Sequence, residues 1–270
     1  MSSFITAYIV GDSFEPITHL FNAITASQLE RMLSSRNEGR ADAERRKYVL
    51  GQGVGATRYC SLWKQLAEYG ELEEIVLDPP VAPEKASRFH THKHNDHNIL
   101  IGQPEQIEPK HYRARLLIDD RCDDMADHVT GFHISGMCVL EAARQMVLAV
   151  AEGFIIEEAR RGTLRFSTES VSATYDGFIL PLPATLILAE QRLRKGPGGD
   201  FVLTAAIDFI QNNKRLARVE TTVSAISRQF VELRERRLVS SLLGSAQQAD
   251  LSSLEIDDAG HRHELMERTQ

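Results

Sequence analysis

From residue 136 to 152 the chain runs Met137, Cys138, Val139, Leu140, Ala142, Ala143, Met146, Val147, Leu148, Ala149, Val150, Ala151, apolar on almost every side of a helix. A helix with that pattern has no solvated face and predicts burial all round. After it the pattern becomes strand-like: residues 163–175, 184–194, 201–210 and 215–226 read as successive strands. The segment 195–200 contains Gly196, Gly198 and Gly199 and predicts a hairpin turn, because glycine supplies the positive backbone angles that tight connections need. Ahead of the helix, 98–102 and 111–119 read as strands. In the second, Tyr112, Ala114, Leu116 and Ile118 alternate with Arg113, Arg115, Leu117 and Asp119, the signature of a half-buried strand. Residues 229–243 predict a closing helix, while 245–270 are polar with little periodicity and are expected to fray or stay disordered.

The first ninety residues differ in character. Residues 4–10 predict a strand and 24–34 a helix, with Thr25 or Ser27 placed to cap it. A charged segment follows at 36–47, and Gly51-Gln52-Gly53-Val54-Gly55 then leads into a helix over 59–69. Asp78-Pro79-Pro80-Val81-Ala82-Pro83 reads as an extended linker, since proline disfavours helix both at and before itself. The boundary is placed near residue 85. This gives a mixed α/β N-terminal extension over 1–85, a central domain over 86–228, and a closing helix with a polar tail over 229–270. The glycine run has no Walker lysine and an incomplete dinucleotide pattern, which favours a turn over a phosphate-cradling loop.

A lone buried helix followed by antiparallel strands is covered only if the sheet curls around it. The expected class is therefore α+β, a hot-dog fold in which an antiparallel sheet wraps a long central helix, with a partly helical N-terminal extension. One such sheet leaves an edge and half a tunnel open, so a homodimer is expected.

The polar interruptions of the central helix carry the candidate chemistry. Glu141, Arg144 and Gln145 are spaced by three and four residues and fall on one helical face as a single polar spot. An unpaired buried carboxylate is costly, so Glu141 must be paired, protonated or facing a cavity. One reading is an internal pair with Arg144. The other is an active site, because the loop Asp127-His128-Val129-Thr130-Gly131-Phe132-His133 enters this helix and would bring His128 or His133 close to Glu141. Cys138, one turn before Glu141, is read as packing and left out of the catalytic set. His90, His92, His94 and His97 form a second cluster. If 89–94 is extended, residues 90, 92 and 94 share a face and could ligate a metal, but Asp96 is the one nearby carboxylate and no metal is assigned.

Thr91-His92-Lys93 followed by Asn98-Ile99-Leu100-Ile101, with Gly136-Met137-Cys138-Val139-Leu140-Glu141-Ala142-Ala143-Arg144-Gln145, resembles the repeat of the A-factor biosynthesis (AfsA-type) hot-dog family over residues 90–227. The second run is the most specific part. The resemblance implies an enzyme that joins a β-ketoacyl chain from an acyl-carrier-protein thioester to a hydroxyl of dihydroxyacetone phosphate, the first step toward butyrolactone or butenolide signals. Those synthases carry two such repeats and this sequence shows one, which leaves the acceptor open. The same loop and helix also look like those of hot-dog 3-hydroxyacyl thioester dehydratases, where a loop His and a helix carboxylate act together. On this basis Glu141 is expected to be the general base, and His128, or His133 in its place, to assist or orient the nucleophile. Amides at Gly136 and Met137 would polarise the thioester carbonyl. Arg144, with Gln145 on its face, is expected to bind a phosphate or carboxylate of the substrate, although a pair with Glu141 is the alternative for Arg144. His92 and Lys93 match a family position where Lys93 helps hold an anionic group. The implied function is β-ketoacyl transfer from acyl-carrier protein or CoA to a small hydroxylated acceptor, with no cofactor. A hot-dog thioesterase, a 3-hydroxyacyl dehydratase, and a non-catalytic acyl-binding regulator or assembly partner are the alternatives.

Composition narrows the field further. With 270 residues and 42% hydrophobic content the chain can bury a full core. Lys plus Arg is 31 against 38 Asp plus Glu, a net charge of -7 with no basic run among aromatics, which argues against nucleic-acid binding. The N-terminus lacks a basic, apolar leader and no stretch reaches a membrane-spanning length, so a cytoplasmic protein without membrane contact is expected. Cys60, Cys122 and Cys138 are few and odd in number, as expected for reduced thiols.

Overall fold

The protein is described from a computed structural model over residues 5–35, 46–68, 75–126 and 131–242. The polar tail at 245–270, most of the charged segment at 36–47, and His128 lie outside the described residues.

The N-terminal part builds a four-stranded parallel sheet. Strands β1 (Ile5–Val10), β2 (Ala23–Thr25), β3 (Arg46–Leu50) and β4 (Ile75–Asp78) lie in the order β2-β1-β3-β4. A 3-10 segment (Asp12–His19) links β1 to β2, and helices α1 (Ala26–Ser35) and α2 (Ala56–Glu68) supply the other two crossovers and pack against each other. Apolar residues of strands and helices, among them Ile9, Leu29, Tyr48 and Leu62, form a core of their own. Only β1 and the two helices are readable from the sequence. β2 has three residues and β4 four, and β3 follows directly on the charged segment, so no window is long enough to show a period.

The larger part is the hot-dog. Helix α3 (Arg88–Thr91) precedes strands β5 (Glu105–Glu108) and β6 (His111–Arg115), followed by helix α4 (Asp123–Ala126) and the central helix α5 (Gly136–Val150). Strands β7 (Leu164–Tyr175), β8 (Thr185–Lys195), β9 (Phe201–Gln211) and β10 (Lys214–Ser227) come next, and α6 (Arg228–Leu242) closes the described chain. The six strands form one antiparallel sheet in the order β5-β6-β8-β9-β10-β7. It wraps α5, whose Cys138, Val139, Ala142, Ala143, Met146, Val147 and Val150 are all within 1% of full burial. Ser135 caps α5, its Oγ accepting the Cys138 amide at 3.2 Å, and a π-helical turn at Ala151–Ile155 ends it.

One expectation needs correction. Residues 98–102 are not a strand: a 3-10 turn at Asp96–Asn98 is followed by isolated bridges from Ile101 to Leu116 and from Gly102 to Lys85. Their apolar run reflects burial, since Ile99, Leu100 and Ile101 are almost fully enclosed. On the side of β6 away from β8 the paired strand is β5, whose four residues are all exposed and therefore carry no apolar alternation.

The glycine run joins the two parts. The Gln52 amide side chain donates to Leu116 O at 3.0 Å and Leu182 O at 3.2 Å and accepts the Ile118 amide at 2.9 Å. The Gly53 amide donates to Ile118 O at 2.9 Å. A Cβ on Gly11 would lie 2.1 Å from Gly53 O, and Gly53 itself has φ +80, so this crossing requires glycine on both sides. The Gly51, Gln52 and Gly53 amides that a phosphate would need donate instead to Ile9 O, Pro181 O and Ile118 O.

Candidate active site

On α5 the three polar residues converge. Arg144 donates through Nε to Glu141 Oε2 at 2.7 Å and through Nη2 to Oε1 at 2.8 Å, a two-pronged pair across one helical turn. Lys93 Nζ stands 2.8 Å from Oε1, and Gln145 Nε2 donates to the same oxygen at 2.9 Å. Burial would push the Glu141 carboxyl up, but the hydrogen bonds from Arg144, Lys93 and Gln145 outweigh it and hold it down to about 2. Glu141 is therefore ionised at neutral pH, and the spot carries two cations for one carboxylate.

Glu141 is paired and also faces a cavity. A pocket of about 330 Å³ opens beside it. Its helix side is Met137, Leu140, Glu141, Arg144 and Val147, with Lys93 and Asp124 at the polar end. The opposite wall comes from Thr168 and Val171 on β7 and Val219, Thr221 and Val223 on β10. On β10 these residues alternate strictly, as one face of a strand must. On β7 they are three apart, and a register shift explains it: Thr222 pairs with Ser170 and Val223 with Thr168, leaving Glu169 as an extra, unpaired residue. The bulge turns Thr168 and Val171 to the same side. One end of the pocket thus carries the charged groups, Lys93 and Arg144 against Glu141 and Asp124, and the remainder is mostly apolar.

The other predicted residues divide. Gln145 is fully buried and spent on structure: its Oε1 accepts the Leu100 amide at 2.8 Å and its Nε2 also donates to Asn98 O at 2.8 Å. It does not line the pocket, and it fastens segment 98–100 to α5. Gly136 and Met137 form the first turn of α5, where amides have no acceptor within the helix. Met137 is 66% exposed on the pocket rim. His133 is not among the pocket-lining residues; its ring stacks on Phe178 with centroids 4.6 Å apart.

Lys93 and His92 point to different places. Ser87 caps α3 through the Phe89 amide, and the helix ends with His92 in the left-handed region at φ 55. That turn sends Lys93 to Glu141 and His92 to Glu152, whose Oε1 lies 3.1 Å from His92 Nε2 at the far end of α5. The extended 89–94 face is therefore absent, and the four histidines do not converge on one point: His97 stands 3.9 Å from Asp123 while His92 holds Glu152. Sequence reasoning missed Asp124 and the whole strand wall. The three-residue spacing of Thr168 and Val171 reveals its face only once the bulge is known.

Comparison with known families settles the lineage. The family described as the A-factor biosynthesis hotdog domain matches residues 78–227, more than half of the chain. The chain belongs to this family. The matched span includes every pocket residue and the whole six-stranded sheet of the hotdog domain. Comparison with curated protein sequences returns no match. Among solved structures, the hotdog domain is similar to a mutant thioesterase of Pseudomonas aeruginosa at 12% identity and TM-score 0.36, covering 47% of this chain and 81% of that one. It is also similar to a thioesterase of Haemophilus influenzae at 15% identity and TM-score 0.35, covering 52% and 82%. At those values the fold assignment rests on the topology and the family match. Among the described residues no helix is long and apolar enough to cross a membrane.

Proposed function

We propose that this protein transfers a β-ketoacyl group from an acyl-carrier-protein or CoA thioester to a small hydroxylated acceptor that bears an anionic group. The observation that carries this reading is the Lys93–Glu141–Arg144 cluster which, with Asp124, lines the polar end of a mostly apolar pocket. The β7 and β10 wall suits the acyl chain. The first turn of α5, at Gly136 and Met137, offers amides to the thioester oxygen as it gains charge.

Glu141 at about 2 is a weak base while both cations hold it. A phosphate or carboxylate that takes over Lys93 and Arg144 would remove the groups that depress it, and its proton affinity would rise. Glu141 then accepts the proton of the acceptor hydroxyl, the oxygen attacks the thioester carbon, and the carrier thiolate leaves and is protonated. His128, or His133 after a movement of its loop, would orient the hydroxyl. This order links catalysis to acceptor binding, so the thioester is protected from water until the acceptor is seated.

The tight pairing of Glu141 also favours a second reading, an acyl-binding protein without turnover, in which the cluster is a fixed structural pair. In both readings the outer edge of β7, the last strand of the sheet among the described residues, with Val171 55% and Tyr175 49% exposed, supports self-pairing into a homodimer.

Intact-mass spectrometry separates the outcomes, using acyl-carrier protein loaded with a β-ketoacyl or 3-hydroxyacyl chain, with and without hydroxylated acceptors. Acceptor-dependent unloading that disappears in Glu141→Ala is the expected result. Unloading without acceptor would indicate a thioesterase, loss of water a dehydratase, and an unchanged carrier the binding role.

A further inference from the structure

Beside the pocket lies a group of donors that acyl transfer does not use. Cys122, just before α4, and Cys138, in the first turn of α5, are both fully buried. Their sulfur atoms and a carboxylate oxygen of Asp124 all lie within 4.8 Å of one another. Bonds of about 2.3 Å to sulfur and about 2.1 Å to oxygen place tetrahedral donors roughly 3.5–3.8 Å apart, so the three need close by at most about 1.3 Å around an ion.

We propose that Cys122, Cys138 and Asp124 form a mononuclear site for a thiophilic divalent cation of the Zn²⁺ class. Two thiolates and one carboxylate are a donor set that selects such ions over Mg²⁺ or Ca²⁺, which take oxygen ligands. The surroundings already orient these donors. Ser135 Oγ accepts the Cys138 amide, fixing the turn that carries its sulfur. Asp124 belongs both to this group and to the pocket wall, so an ion held here has three protein ligands and a fourth position for water or a substrate oxygen at the pocket's edge. The site does not depend on the acyl-transfer reading, because ion binding is measured without turnover.

The test uses the reduced, chelator-stripped full chain titrated with Cd²⁺ alone. The expected result is a thiolate-to-cadmium charge-transfer absorption that saturates at one ion per chain and is displaced by Zn²⁺. Cys122→Ser abolishes the band, Cys60→Ser leaves it unchanged, and Asp124→Asn keeps it but weakens Zn²⁺ more than about tenfold against a chromophoric chelator. Cys138→Ser adds a second thiolate test if it folds; Asp124 is exposed, so its variant does not depend on core packing. A wild-type protein that shows no saturable band, or a band untouched by Cys122→Ser, overturns the proposal. So does a Cys122–Cys138 disulfide in protein purified without reductant, with no ion taken up after reduction.

Discussion

Glu141 is held by two cations and an amide, and that arrangement dictates its pH behaviour. Its value in the folded chain, about 2, lies below the ordinary 4.5, so its stabilising contribution is present above pH 4.5 and is lost as pH falls toward 2. Denaturation midpoints of wild type and Glu141→Gln should therefore differ at neutral pH and converge between pH 4.5 and 2. A constant gap through that window would mean the pairs do not act on the ionised carboxylate. Gln145 makes a separate prediction. Its loss strands the Leu100 amide and the Asn98 carbonyl in the interior, so Gln145→Ala should cost about 2–3 kcal/mol in a urea titration. The polar spot itself was legible from spacing alone, because residues three and four apart must share a helical face. That Gln145 turns inward to segment 98–100 was not legible, since its partners are more than forty positions away.

The elements show where local pattern carries information and where it fails. The central helix and the four long strands after it are readable because each is long enough to repeat its period several times. β5 is fully exposed and short, and residues 98–102 are apolar yet paired only through isolated bridges at Ile101 and Gly102, so hydrophobicity missed the first and misassigned the second. The bulge at Glu169 and the left-handed residue His92 each break a period by one step, and each decides which side chains reach the pocket. Tight packing at these elements makes two further tests. Met146 is fully buried in α5, and Met146→Ala should lower stability by about 2–5 kcal/mol in the same titration. Gly11→Ala would drive a methyl into Gly53 O where the parallel sheet meets the hot-dog. Hydrogen exchange should then show lost protection in β1 and β3 with the six-stranded sheet retained; unchanged protection would mean the crossing relaxes at little cost.

At the scale of the molecule, a parallel α/β unit stands ahead of a single hot-dog, fastened through Gln52 and Gly53. The sequence showed two regions of different character but not the parallel sheet, because its strands come from four short segments joined only in space. The free edge of β7 argues for pairing of two copies. Ser170→Lys with Ser172→Lys places two charges on one face of that edge and should turn a dimer into a monomer by light scattering. A wild-type monomer would contradict the proposed assembly. The central claim is that Lys93 and Arg144, at the charged end of the pocket, seat an anionic acceptor for the acyl chain. The measurement that tests it most directly follows β-ketoacyl carrier protein by intact mass with glycerol 3-phosphate or with glycerol as acceptor. Acyl transfer to the phosphorylated acceptor, weak with glycerol and lost in the Lys93→Ala, Arg144→Ala double variant, is the predicted result; equal transfer to both, or none to either, would contradict it.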